Sequence, residues 1–141
     1  MVMQAEKVMS GSYGYMYHEG EWMTNITQAQ ASVAINKEEV PRAGTRWIGD
    51  KAMSVKGTGS MTGYKMTPTL NKRIGQFLDD KSPMFVTELI MKLDDPDSPE
   101  TKQRVRLKGV QFDVVNIMQY EVGTIVTEET PFTFSGREYL D

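Results

Sequence analysis

A long segment, residues 22–36, whose second half alternates between apolar and polar side chains, constrains the fold of this 141-residue chain more than any other feature. In its second half Ala29, Ala31, Val33 and Ile35 alternate with Gln28, Gln30, Ser32 and Ala34. A period of two residues is the pattern of a β-strand with one buried face. About 14 residues at ~3.3 Å each would span ~45 Å, beyond the usual strand length. The sequence therefore predicts an unusually long, half-buried strand.

A loop and a returning strand follow. Residues 37–51 show neither strand nor helix periodicity and contain Pro41, Gly44 and Gly49, so we expect a long loop there. Residues 52–66 are predicted to return as a second strand, with a run of glycine and small polar residues in its middle. Such residues weaken an isolated strand. They suit a sheet whose exposed face lines a wet channel or lies close to a neighbouring molecule.

One helix is predicted over residues 67–80, with Thr67 as its N-cap and Pro68 as its first helical residue. Its two basic residues, Lys72 and Arg73, lie in the first half, opposite to what the helix dipole favours. Either these charges meet a partner or their placement is accidental. A single apolar stripe runs along the helix: Leu70, Ile74, Phe77 and Leu78.

The remaining segments read as strands. Residues 14–18 enter a tight turn at 19–21, and residues 84–93 are apolar on both faces, as in a central strand. After residue 102 the apolar phase slips by one residue at Gly109, which predicts a β-bulge and a sharply bent strand. Further strands are expected over 117–126 and near 131–134. Seven or so strands and one helix suit a mainly β fold: a rolled antiparallel sandwich or barrel with one flanking helix, forming a single domain over 1–141.

Composition excludes several classes of protein. The chain has no cysteine, which removes disulfides, zinc thiolate sites and thiol nucleophiles, and a reducing cytoplasm is the natural place of synthesis. The net charge of −3 does not indicate a basic nucleic-acid-binding protein. No apolar run approaches the ~20 residues of a membrane helix, so we expect no membrane insertion by this chain.

A search for chemistry finds no catalytic, metal or cofactor site. His18 is the single histidine, and no motif places a nucleophile beside it, so we expect a surface or strand-end position. The acidic run at Asp94, Asp95 and Asp97 is interrupted by prolines and lacks the spacing of a calcium loop. The glycine-rich run 57–63 lacks the lysine and helix of a phosphate-binding loop. Glu128 and Glu129 are adjacent on a predicted strand and would face opposite sides. No enzymatic activity is predicted.

Several short motifs, taken in order, resemble the tail-tube proteins of the PBSX-like prophage type. Their order and spacing cover nearly the whole chain. They are Lys7-Val8-Met9-Ser10-Gly11 followed by Gly14, Glu19-Gly20-Glu21, the long strand ending near Asn36-Lys37 with the loop after it, Gly57-Thr58-Gly59, Val110-Gln111-Phe112-Asp113 and Glu129-Thr130-Pro131-Phe132-Thr133-Phe134.

The resemblance implies hexameric rings whose inner sheets join into one barrel, and rings that stack into a tail tube. It further implies a contractile phage tail or a phage-derived bacteriocin particle, with a sheath and baseplate proteins as partners and DNA only as passing cargo. The protein would then be found in a virion tail or phage-tail-like particle. The family has no catalytic residue or cofactor.

The resemblance also gives candidate roles to residues. The two long strands would line the channel with small uncharged polar groups: Gln28, Gln30, Ser32, Thr58, Ser60 and Thr62. The loop would reach an adjacent ring or subunit through Arg42, Arg46 and Trp47, with Lys72 and Arg73 as further contacts. Arginine and tryptophan are frequent energetic anchors of interfaces. Trp47 capping its own core is an equal alternative.

A second function stays open at this point: a monomeric ligand-binding β-barrel or sandwich module, with residues 37–51 as a recognition loop. It predicts a monomer with a substantial apolar pocket. The tube interpretation predicts rings or polymers that form with rising concentration.

Overall fold

The computed structural model of the protein describes residues 4–66, 68–97 and 102–140. Within these residues every strand pairing is antiparallel and belongs to one sheet. The predicted fold class, mainly β and antiparallel with one short helix, is confirmed. The strands are β1 Gly14–His18, β2 Glu21–Trp22, β3 Ile26–Val40, β4 Gly49–Tyr64, β5 Val86–Leu93, β6 Gln103–Phe112, β7 Thr127–Phe134 and β8 Gly136–Tyr139; the α-helix is α1 Thr69–Ile74, and 3-10 helices cover Ala5–Lys7, Gly11–Tyr13 and Gly75–Leu78.

The sheet runs in the order β2-β1-β5-β6-β7-β4-β3, and β8 also pairs with β6. Although β1 and β3 lie near opposite ends of this order, they contact each other. The sheet therefore curls round its own apolar face. The ten buried apolar side chains of the described core come from five strands, from α1 and from the residue before β5: Met16, Met61, Ile74, Phe85, Leu89, Leu107, Val110, Phe112, Phe132 and Phe134.

The predicted bulge at Gly109 is confirmed, and it bends β6. Thr87 pairs with Val110 and Leu89 with Leu107, so one residue of β5 faces two residues of β6. Gly109 has φ +64°, a left-handed conformation that a residue with a side chain adopts only with strain. Because of this shift in register, the side chains of Leu107, Val110 and Phe112 all point into the same core.

Strands β3 and β4 form a hairpin longer than the sequence predicted. Residues 37–40 and 49–51 belong to the strands, so the connecting loop covers 41–48 and the prediction of a loop over 37–51 was too long. Five of these seven residues are charged, namely Lys37, Glu38, Glu39, Asp50 and Lys51, so the sequence lacks the alternating apolar residues by which a strand is recognised. At its other end β3 begins at Ile26 rather than at residue 22.

The helix is shorter than predicted and only half of its apolar stripe is buried. The α-helix ends at Ile74 and continues as a 3-10 turn, which rotates the following side chains away from the core. Ile74 is buried and Leu70 packs against the core, whereas Phe77 and Leu78 are exposed. Pro68 is the residue before the helix, and the predicted N-cap at 67 lies outside the described residues. No helix in the described part of the chain is long and apolar enough to span a membrane.

The strand predicted over 117–126 is wrong. Residues 114–121 have no regular secondary structure, and a turn follows at 122–123. The alternation of apolar and polar residues there resembles a strand, but the apolar side chains are exposed rather than packed on the sheet.

Candidate functional site

The β3–β4 hairpin has a polar face that brings together all six residues predicted to line a channel. In an antiparallel pair, directly opposed residues point to the same side. The register pairs Gln28 with Thr62, Gln30 with Ser60 and Ser32 with Thr58. Hydrogen bonds cross this face, from Gln30 Nε2 to Ser60 Oγ (3.4 Å) and from Asn36 Nδ2 to Ser54 Oγ (3.1 Å). Over residues 28–36 and 54–62 the one charged side chain is that of Lys56.

The opposite face of the hairpin is apolar, and the chain buries only part of it. In its inner half, residues 26–32 and 57–64, this face lies on the core. A Cβ added to Gly57 would lie 2.6 Å from Phe134 Cδ2, and one added to Gly59 would lie 2.7 Å from Phe132 Cζ. The two glycines therefore leave room for two aromatic rings.

In its outer half, residues 33–40 and 49–56, the same apolar face is left in the open. Strand β4 pairs with β7 only through residues 57–64, so here β3 and β4 pair with each other alone among the described residues. Ile35 is 56% exposed and Val55, directly opposite, is 68% exposed; Val33 and Met53 are exposed as well. The sequence pattern correctly separated the two faces, but it wrongly predicted that this part of the strand is buried within the chain.

At the tip of the hairpin, residues 41–48, the side chains predicted to contact an adjacent ring or subunit are exposed to solvent. Arg42 Nε donates to the carbonyl oxygen of Trp47 (3.4 Å), and Trp47 N donates to Thr45 Oγ1 (3.2 Å). The Trp47 side chain is 78% exposed, which rules out the alternative that it caps its own core. Arg46 is also exposed.

The two helix residues predicted as contacts differ from each other. Both guanidinium NH groups of Arg73 donate to the Glu19 carboxylate (2.9 and 2.8 Å), and the Arg73 guanidinium lies 4.5 Å from the centre of the Phe85 ring. Arg73 is thus held within its own chain, where the hydrogen bond to Arg73 lowers the pKa of Glu19. Lys72 is exposed.

His18 is the last residue of β1, as predicted for a strand-end histidine, and it packs at the edge of the hydrophobic core. Its Nε2 lies 2.9 Å from Thr87 Oγ1, and its ring packs 6.1 Å from that of Phe85. Partial burial lowers the pKa of His18 below its ordinary value of 6.5; Glu19 and Glu21 raise it by less, and Arg73 lowers it further.

The acidic turn after β5 is partly structural rather than merely solvated. Asp95 is buried, and its carboxylate accepts hydrogen bonds from Ser10 N (2.8 Å) and Asp97 N (2.9 Å). It ties the N-terminal segment to the β5–β6 turn, which the charge pattern alone did not reveal. In the part of the chain that the structure describes, no group of three or more histidine or acidic residues is arranged to hold a metal ion.

A second exposed apolar surface lies on the long connection between β6 and β7, which we call segment 114–125. Asn116 Nδ2 donates to the Glu129 carbonyl oxygen (3.1 Å) and Gln119 Nε2 to that of Thr127 (2.5 Å), so side chains hold the segment beside β7. Val115 packs against the core, whereas the other large apolar side chains of the segment are exposed, Val122 to 92%. Sequence reasoning missed this surface because it interpreted the apolar residues as a packed strand. The exposed apolar residues are Val114, Ile117, Met118, Tyr120, Val122 and Ile125.

An open cleft of about 720 Å³ lies between β3 and the inner faces of β1, β5 and β6. Its walls are mainly apolar and include Met91, Val105 and Leu107. Arg137 and Lys92 stand at the cleft, the first stacked on Tyr139 and the second paired with Asp94. No residue of segment 114–125 lines this cleft, so the two surfaces are separate.

Solved structures with this fold include chains of three particles. A chain in the anti-feeding prophage cap, which terminates the particle's tube, superposes with a TM-score of 0.73 over 99% of this chain and 93% of that chain, at 8% identity. A chain in the extended sheath–tube complex of an extracellular contractile injection system gives 0.71 over 96% and 93%, also at 8% identity. A chain in the virion of a native gene transfer agent gives 0.64 over 95% and 100%, at 11% identity. At these identities the likeness concerns the fold.

Closer relatives are found among proteins of Bacillus subtilis strain 168. The phage-like element PBSX protein XkdM is 35% identical over 136 residues, which cover 95% of this chain and 91% of that protein. The uncharacterized protein YqbM matches with the same identity and coverage. The family model described as phage tail tube protein matches residues 1–141. The chain belongs to the phage tail tube protein family.

Proposed function

We propose that this chain is a structural subunit, without catalytic activity, that forms hexameric rings stacked into a tail tube around a central channel. The observation that carries the proposal is the outer half of the β3–β4 hairpin. A two-stranded hairpin alone is at best marginally stable in water, yet here it projects with one apolar face exposed. A neighbouring copy that covers this face would remove Val33, Ile35 and Val55 from water.

The polar face of the hairpin suits the wall of a channel. Its hydroxyl and amide groups pair partly with one another and carry almost no charge. Such a wall gives phosphates no cluster of cations and bases no aromatic platform, so DNA can pass without being held. In this proposal Gln28, Gln30, Ser32 and their partners Thr58, Ser60 and Thr62 face the channel.

The tip of the hairpin suits the contact between stacked rings. An exposed tryptophan flanked by two arginines is a typical interface anchor, and residues 41–48 lie at the far end of the projecting hairpin. We place Arg42, Arg46 and Trp47 in this contact. Lys72 stays a candidate for a second contact, whereas Arg73 is already engaged with Glu19 and Phe85.

The family supports a proposal for the setting of the tube. A tail particle with a sheath and a baseplate would surround and anchor it, and DNA would be its cargo where the particle is a virion. The sheath–tube complex among the similar folds supports a sheath as partner. We place the protein in a virion tail or phage-tail-like particle, made in the cytoplasm of the bacterial host.

The cleft of about 720 Å³ favours the alternative function of a monomeric ligand-binding module, because small-molecule sites are usually apolar clefts of this size. The two proposals predict particles of different mass, a monomer for the ligand-binding module and rings or tubes for the tail tube. Sedimentation velocity and negative-stain microscopy over a hundredfold range of concentration separate them. We expect particles of six subunits with sixfold ring views, and tubes at the highest concentrations. A monomer throughout the range contradicts the tube and supports the module.

A further inference from the structure

Among the described segments that carry backbone groups without backbone partners, two lie on separate surfaces with exposed apolar side chains. Strand β3 ends the sheet, and among the described residues it pairs with β4 only, so its other edge is open. Such an edge is a template for another strand. Successive residues on both faces of this strand, from Ile26 to Ala29 and from Ala31 to Val33, line the cleft, which places the open edge at the cleft.

Segment 114–125 is the second part. None of the backbone groups of residues 114–120 takes part in a backbone–backbone hydrogen bond with the described residues. The segment is held to β7 by the side chains of Asn116 and Gln119 instead. Its side away from β7 therefore offers both unpaired backbone groups and exposed apolar side chains.

We propose that segment 114–125 of one copy adds as a strand to the open edge of β3 in the next copy and covers that copy's cleft. This inference rests on the proposed ring, because it names the surfaces through which neighbouring subunits join. Strand addition satisfies the backbone groups of both partners, while the alternating side chains of the added segment fill the apolar cleft.

Charge and geometry support a second copy as the occupant. Glu121 is the one charged side chain in the segment, and Arg137 is a cation at the cleft; neither forms an ion pair with a described residue. Because the two surfaces differ and lie apart, each copy uses one to hold its neighbour and the other to be held. Such head-to-tail contacts form a ring when the rotation from one copy to the next closes after a full turn.

The absence of cysteine allows a direct test by mixing two single-cysteine variants. One carries Tyr120→Cys in the segment. The other carries Ala29→Cys, Ala31→Cys or Val33→Cys, three positions on β3 that step along the strand by two residues each. Opposed residues of paired strands have Cα atoms about 5.5 Å apart, within the range of a disulfide. The matched control is Thr58→Cys, which lies on β4 and on the polar face.

In assembled mixtures we expect at least one β3 variant to form the mixed disulfide about tenfold faster than Thr58→Cys does. If all three form it at the control rate while microscopy shows tubes, the proposed function stands and the pairing is overturned. If the protein without substitutions forms no rings, the proposed function itself fails.

If a cysteine variant does not assemble, hydrogen exchange of the unsubstituted protein tests whether segment 114–125 pairs with β3 of the next copy. The amides of residues 114–120 are expected to exchange about tenfold more slowly in tubes than in dilute monomer, because strand addition satisfies them. Unchanged exchange in tubes overturns the pairing. That result is expected if the cleft instead binds a small apolar molecule, or if the segment contacts a different protein.

Discussion

The inner and outer halves of the β3–β4 hairpin are made of the same two strands with the same alternation, yet their apolar faces have different surroundings. In the inner half, Gly57 and Gly59 lie under the rings of Phe134 and Phe132. In the outer half, Ile35 and Val55 occupy the equivalent face and nothing in the described chain covers them. The comparison teaches that one half of the strand pair is built for folding and the other for assembly.

The largest effect is expected in the inner half, from Gly59→Val. The added Cβ would lie 2.7 Å from Phe132 Cζ and 2.5 Å from the Gln30 carbonyl oxygen, and the backbone oxygen cannot move aside. We expect a loss of about 3 kcal/mol in the free energy of unfolding, measured by urea denaturation. Gly11→Ala is the control, because nothing lies within 4 Å of its added Cβ. A loss under about 1 kcal/mol would contradict the packing described for the inner half.

In the outer half, Ile35→Asp is expected to separate folding from assembly. The side chain is exposed in the monomer, so the free energy of unfolding should change by less than about 1 kcal/mol. Burying the new carboxylate between copies is unfavourable, so the concentration required for assembly should rise at least about tenfold.

Asn36→Asp gives the matched control, since it introduces the same group at the next residue, on the polar face. It should assemble almost as the unsubstituted protein does, as judged by sedimentation velocity. Equal effects of the two substitutions would mean that the two faces do not differ in assembly.

Changes at the tip of the hairpin are expected to prevent the stacking of rings without affecting folding or ring formation. Val40 and Gly49 are directly opposed, so residues 41–48 can be replaced by Asn-Gly, a pair suited to a two-residue hairpin turn. The shortened protein should fold with an unchanged circular dichroism spectrum and form rings, but no tubes by electron microscopy. Trp47→Ala alone should give shorter tubes. Normal tubes from the shortened protein would show that the tip does not join the rings.

The smallest expected effect is on the pH dependence of the free energy of unfolding, through His18 at the edge of the core. Because burial lowers the pKa of His18, the unfolded chain binds more protons than the folded chain near pH 6.5, and stability falls as the pH drops through 6.5. His18→Gln should flatten this part of the stability curve, measured by urea unfolding at each pH. The lowered pKa of Glu19 acts separately, below pH 4.5. A slope that survives His18→Gln would exclude the histidine as its cause, since the chain has no other.

Local patterns predicted the parts of the fold that depend on neighbours in sequence. The slip at Gly109 predicted the bulge, and Glu19-Gly20 predicted the tight turn, where both residues have positive φ. The polar and apolar faces of β3 followed from alternation, whereas the grouping of the six polar residues of β3 and β4 on one side followed from the resemblance to the tail-tube family.

What alternation could not predict is which molecule buries an apolar face. Ile35 and Val55 are spaced like core residues, and so are Met118 and Tyr120, because the pattern that favours burial is the same within a chain and between chains. The role of Gly57 and Gly59 depends on Phe134 and Phe132, more than 70 residues away, so only the strand register reveals it. The burial of Asp95 depends likewise on the distant Ser10.

The central claim is that the outer half of the hairpin is covered by another copy in the assembled particle. Electron cryo-microscopy of tubes made from the purified protein tests it most directly. The account predicts sixfold rings in which Val33, Ile35 and Val55 contact a neighbouring subunit, while Gln30 and Ser60 face the channel. A reconstruction in which these apolar side chains face solvent, or line the channel, would contradict it.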